Sequence, residues 1–389
     1  MNNDIKSRVE ALRAWMRSRG FDAFVVPSTD PHGSEYVAPH WMCRQWLTGF
    51  TGSAGTAIVT LDSAALWTDS RYWLAGEEQL RDTPFVLMRQ GHADTASPAV
   101  WLKTKDCTKV ACDPWVNDGA VRPNDPARIA MTWLRDGSCT DPFAEIWSDR
   151  PPMPQGKVVV QPERYAGESV EQKLMRVRRC MCNRSADAML LTALDDIAWL
   201  LNLRGDDVHC TPVFVAYMIV RPDAATVYTY HELPPIEGIT VAPYDAIAAD
   251  LAALRGRLML ESDNVNLALA DLITCQRLEG TPVPHLKIVK NEAEQQGFRR
   301  AMLKDGVAMV QFLRRLDEIM SSSTREPLTE MGVDAMLTAL RAQQEGFCGL
   351  SFDTIAGYAH HGAVVHYEAT EETDIPLQHR GLLLLDSGA

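Results

Sequence analysis

The chain has 389 residues, more than one ordinary domain uses, so two or three compact domains with their own cores are expected. An apolar fraction of 46% beside a charged fraction of 23% excludes a disordered or fibrous architecture. Lys+Arg 38 against Asp+Glu 51 leaves a net charge of -13 with no basic block among aromatics, so nucleic acid and anionic membranes are not expected partners.

At the start, Val9, Leu12 and Met16 recur at helical spacing among charges, which predicts an amphipathic helix and not the unbroken apolar core of an export signal. Gly20 ends that helix and "FDAFVVPS" reads as a short apolar strand. "GTAIVTLDSAALWTDSRYW" reads as two strands turning at Asp62 and Ser63, followed by a helix through "LAGEEQL". The glycines of "TGFTGSAGT" lack the Lys-Ser/Thr pair of a phosphate loop, so that stretch is expected to be a turn entering the hairpin. The nine cysteines are scattered, and neither Cys107/Cys112 nor Cys180/Cys182 has a second pair to complete a zinc site. They are read as reduced thiols of a cytoplasmic protein.

The same order of segments returns further on. "DAFVV" at Asp22 reappears as "DAMLL" at Asp187, "WLTGFTG" at Trp46 as "WLLNLRG" at Trp199, and "IVTLDSAALWT" at Ile58 as "IVRPDAATVYT" at Ile219 without a gap. Three blocks in one order imply tandem copies of one α/β domain, residues 1–160 and 161–285, ending at the Pro-rich seams "DRPPMPQGK" and "EGTPVPHLK". The second copy opens on a helix whose Ser169 and Gln172 have capping-box spacing, and Gly205 closes the element after it.

The third segment, residues 286–389, begins with a long helix capped by Asn291 and Glu294, with Phe298, Met302, Met309, Leu313 and Leu316 lining one face at helical spacing. A second helix follows from Thr329. "SFDTIAGYAHHGAVVHYEAT" and the terminal "GLLLLDSGA" are both strand-like, the latter with the look of the most buried strand of the chain.

Several stretches invite a catalytic reading. "HELPP" at His231 starts like a metalloprotease helix, but Pro235 stands where the second histidine belongs. Ser387 lies between Asp and Gly with no nucleophile elbow around it and reads as a turn residue. His366, in "AVVHYEA", is open to two readings, a hydrogen-bonded core histidine or a functional one. Asp386, delivered by four leucines, either starts an Asx-type turn or is bound to a cation.

At these residues the chain resembles the Xaa-Pro aminopeptidases, in their three-domain cytosolic form, within the creatinase and methionine-aminopeptidase superfamily. The resemblance runs through "SEYVAP", "GFTGSAGTAIVT", "WTDSRYW", "DDIAWLLNLRG", "VKNEAE", "RRAMLKDGVA", "GLSFDTIAG", "AVVHY" and "LLLLDSGA". It implies an α/β fold class: two tandem creatinase-like α/β domains and the first part of a pita-bread catalytic domain. It implies removal of an N-terminal residue preceding proline, whose tertiary amide and fixed φ defeat general aminopeptidases. It assigns Asp386 as the first of five metal ligands and His366 as a contact to the substrate and the developing oxyanion. The implied cofactor is two divalent ions, most often Mn²⁺, sharing a water that a glutamate deprotonates.

The resemblance places the other ligands beyond Ala389, so the chain is expected to be part of a longer enzyme, without a bound metal pair and without activity. Peptides with proline second are the implied partners, and a homodimer is implied for the full-length form. Two other functions remain open: a non-catalytic peptide- or protein-binding module on the same fold, and a metal-independent hydrolase like creatinase, which Asp386 disfavours.

Overall fold

The computed structural model describes residues 2–117, 141–322 and 327–389. They form two compact units: Met1–Glu163 with Glu168–Val208 and Pro212–Val289, and Lys290–Ala389 with Arg164–Gly167 and His209–Thr211.

In the first unit, α1 (Asn2–Arg19) buries Val9, Leu12 and Met16, the stripe its sequence spacing predicts. It lies in one apolar cluster with β1 (Ala23–Pro27), β2 (Thr56–Thr60) and β3 (Ala64–Thr68). With β4 (Phe85–Arg89) and β5 (Val110–Cys112) these strands make a five-stranded sheet in the order β4-β3-β2-β1-β5. Successive side chains of a strand point to opposite faces. Phe24, Val26, Val59 and Leu66 accordingly join the α1 cluster, whereas Ala23, Val25, Ile58 and Trp67 join a second one.

The repeat read from the sequence is also a repeat of topology. After α2 (Val170–Asn183), whose Ser169–Gln172 capping box is formed, come β6 (Ala188–Leu191), β7 (Ala216–Val220), β8 (Ala225–Thr229), β9 (Ile239–Pro243), β10 (Arg257–Leu260) and β11 (Gln276–Glu279). Their order, β9-β8-β7-β6-β10-β11, reproduces the first sheet and adds one strand. The strand directions agree: β1–β2 and β6–β7 are antiparallel, β3–β4 and β8–β9 parallel, β1–β5 and β6–β10 parallel. The turns match as well, with Thr60 N–H donating to Ser63 C=O and Arg221 N–H to Ala224 C=O, both at 2.8 Å. Asp22 and Asp187 each use Oδ2 to hold the strand beside the one they introduce. Asp22 accepts from Lys109 N–H and Asp187 from Arg257 N–H, both at 2.8 Å.

The second unit holds α3 (Glu292–Met320), α4 (Glu330–Ala342) and the antiparallel pair β12 (Phe352–Tyr358) and β13 (Leu383–Gly388). The Asn291–Glu294 cap of α3 is present. Only part of the expected stripe is buried. Ala308 and Phe312 are enclosed, with Met309, Leu316 and Met320 beside them, while Phe298, Met302 and Leu313 are more than half exposed. The helix carries more apolar residues than one face can take, and only its second half lies over the hairpin cluster of Val333, Leu337, Leu340, Ala356 and Tyr358.

Two further expectations are corrected. Strand β12 stops at Tyr358, and Ala359–Ala363 is a short 3-10 helix, so "AVVHY" is a turn and not a strand. The four leucines are not the most buried strand: Leu382 is 84% exposed and Leu384 46%, and only Leu383 and Leu385 pack on the cluster.

Candidate functional site

Asp386 lies in β13 opposite Ile355, as Leu385 lies opposite Ala356 and Leu384 opposite Gly357. The period of two turns Leu383 and Leu385 inward and puts Asp386 on the outward side with Leu382 and Leu384. Its carboxylate is exposed, and among the described residues it takes no hydrogen bond or ion pair. It therefore does not start an Asx turn. A solvated carboxylate at the end of a short strand is chemically fit to be one hard oxygen ligand, but one such donor does not enclose an ion. Among the described residues no group of three metal-type donors includes it.

His366 stands in the turn that follows the 3-10 helix, with φ 56. That left-handed conformation is uncommon outside glycine, although histidine enters it more readily than most residues. Ala359, at the other end of the segment, has φ 54. The segment is packed tightly against β12: a Cβ on Gly357 would lie 2.9 Å from the Gly362 nitrogen, a distance only glycine tolerates.

Beneath this segment lies a carboxylate that the sequence offered only as an ordinary helix-start acid. Glu330 is the first residue of α4, and its side chain is 0% exposed. Its Oε1 accepts from Tyr358 N–H at 2.6 Å, and its Oε2 accepts from the Tyr367 hydroxyl at 3.0 Å. The Nδ1–H of His361 donates to the same carboxylate, 2.9 Å from Oε2. The rings of His361 and Tyr367 stack at 4.4 Å. Burial, with Glu330 nearby, raises the Tyr367 phenol to about 12. A Glu in the first turn of a helix normally reads as a partner of the macrodipole, so no pattern in the sequence separated this one.

His209, Cys210 and Asp353 bring three metal-type donor atoms within 4.8 Å of one another. His209 Nε2 and Asp353 Oδ1 are 2.7 Å apart, and both side chains are well exposed. Burial, then Asp353 and Glu368, raises the Cys210 thiol, the opposite of what a thiolate ligand requires. The group is explained by the hydrogen bond between His209 and Asp353. His231 of "HELPP" also has a structural role, with Nε2 2.7 Å from Asp207 Oδ2. The loop "TGFTGSAGT" turns carbonyls inward, Phe50 and Gly52 accepting from the buried guanidinium of Arg44, which suits no phosphate.

Residues 8–118 and 149–294 each match a Creatinase/Prolidase N-terminal domain, and residues 296–389 match metallopeptidase family M24. Aminopeptidase P2 of Arabidopsis thaliana is 33% identical over 95% of this chain, which spans 58% of that protein. A probable Xaa-Pro aminopeptidase P of Fusarium vanettenii is 33% identical over 99% of this chain, which spans 67% of it. The X-prolyl aminopeptidase of Caenorhabditis elegans, a cytosolic enzyme with a di-nuclear active site, aligns over 98% of this chain with a TM-score of 0.90 and 26% identity; this chain covers 67% of it. Among the described residues no helix is long and apolar enough to cross a membrane.

Proposed function

Because the chain belongs to the Xaa-Pro aminopeptidase family, we propose that the protein takes part in releasing an N-terminal residue that precedes proline in a peptide. The observation that carries this reading is the likeness to the worm X-prolyl aminopeptidase, which extends over 98% of this chain at a TM-score of 0.90. The proposed cofactor is a pair of divalent ions, Mn²⁺ in keeping with oxygen-dominated ligation. The proposed site is cytoplasmic, as for the worm enzyme.

In this reading Asp386 is one metal ligand, and His366 donates a hydrogen bond to the substrate carbonyl as negative charge develops on its oxygen. The residues described here do not by themselves fit a dinuclear centre, since Asp386 brings one exposed carboxylate that belongs to no group of three metal-type donors among them. Residues 1 to 389 alone are therefore proposed to hold no metal pair and to release no amino acid.

The test uses the product of the intact gene that carries this sequence. It should release the first residue from an Xaa-Pro peptide and not from the Xaa-Ala analogue, and a chelator should stop the release. Equal release from both peptides, or release that a chelator leaves untouched, would remove the reading.

A further inference from the structure

We propose that Glu330 is the positioning residue of the candidate site, a buried carboxylate that clamps residues 358–367 at both ends and in the middle and thereby sets the direction of His366. Its functional weight rests on the reading of His366 as a substrate contact.

Three donors of one segment converge on this carboxylate: the Tyr358 N–H where the segment begins, the His361 imidazole within it, and the Tyr367 hydroxyl next to His366. The carboxylate is 0% exposed and His361 14% exposed, so these bonds do not compete with bulk water. Charge-assisted hydrogen bonds of this kind are roughly twice as strong as neutral ones.

The segment needs such an anchor. Ala359 and His366 both adopt left-handed backbone, at φ 54 and φ 56. Strained conformations persist where the surroundings over-determine them. Glu330 supplies that constraint from outside the segment, across the start of α4. A glutamine at the same place keeps one acceptor oxygen but turns an NH₂ toward groups that also donate, so it breaks the convergence without changing the volume.

Selective ¹⁵N-histidine labelling of residues 1 to 389 reads the arrangement directly. The wild-type spectrum should place a proton on His361 Nδ1. Glu330→Gln should abolish that signature and shift the His366 signals. Tyr367→Phe keeps the stacked ring but removes the end bond, and it should shift His366 while the His361 signature remains. A wild-type His361 with Nδ1 unprotonated would overturn the clamp, as would His366 signals unmoved in Tyr367→Phe. The second variant decides the matter even if Glu330→Gln unfolds the unit. Adding the dipeptide Ala-Pro to the wild type addresses the other reading separately: a His366 signal that ignores it counts against substrate contact and not against Glu330.

Discussion

Asp207 and His231 form an almost fully enclosed pair, Oδ2 to Nε2 at 2.7 Å, with side chains 0% and 6% exposed. The same carboxylate accepts from Val215 N–H at 2.7 Å and Gly156 N–H at 2.9 Å. Burial alone would raise the Asp207 pKa, but the His231 bond and these two amides outweigh it, and the native value lies below the ordinary carboxylate. A carboxyl depressed in the native state adds stability above its unfolded pKa, about 3.9, and that stability is lost as pH falls through the native value. Thermal unfolding between pH 7 and pH 3 should therefore show the midpoint falling on acidification. Asp207→Asn should flatten part of that slope and cost about 3–5 kcal/mol at neutral pH, because its one remaining acceptor oxygen cannot serve His231 and both amides. An unchanged pH slope in the variant would remove Asp207 from this role.

The duplicated domains make a paired prediction. Asp22 accepts from Thr108 N–H, the Thr108 hydroxyl and Lys109 N–H at the head of β5, and these amides hold its pKa down. Asp187 does the equivalent for β10 with Arg257 N–H. Asp22→Ala and Asp187→Ala should each destabilise by about 0.5–1.5 kcal/mol, the net worth of hydrogen bonds whose donors water can satisfy instead. Denaturant titration of the two variants checks this, and a neutral result for both would show that the repeated aspartate is not a repeated structural device.

The exposed side of α3 predicts association. Phe298, Met302, Leu303, Val310 and Leu313 lie open on it, and Leu382, just before β13, is 84% exposed. Apolar surface of this extent favours self-association of residues 1 to 389. Sedimentation should show mass rising with concentration, and Phe298→Ser combined with Leu303→Ser should reduce it. A strictly monomeric wild type across the concentration range would contradict this.

Much of this architecture was legible because it rests on local rules. The Ser169–Gln172 and Asn291–Glu294 caps need only spacing, and both form. The repeat was legible because Ile58 and Ile219 stand in hairpins of the same length, so the alignment without a gap survives as the same turn. What was missed depends on partners distant in sequence. Periodicity finds an apolar stripe on α3 but not which half of the helix meets the hairpin, so Phe298 and Met302 are left open while Met309 and Leu316 pack on the cluster. The two valines before His366 suggested a strand, yet Gly357, Gly362 and the Glu330 bonds bend the segment into a turn. Glu330 itself has a residue type and helix position common to many solvated acids. Asp386 and His366 entered through resemblance, and neither is singled out by its local pattern.

Asp386 is the residue of this chain proposed to hold the metal. The decisive measurement is the chelator-sensitive rate of N-terminal residue release from an Xaa-Pro peptide by the product of the intact gene, compared between wild type and Asp386→Asn. In residues 1 to 389 Asp386 is exposed and takes no hydrogen bond among the described residues, so in that chain the substitution should leave the thermal midpoint unchanged and normal folding can be checked there. Asp386→Asn is expected to lower the rate by about 100-fold or more, since removing even a group that only orients a metal ligand costs about 10–100-fold. A variant that folds normally and turns over at the wild-type rate would contradict the assignment of Asp386 to the metal centre.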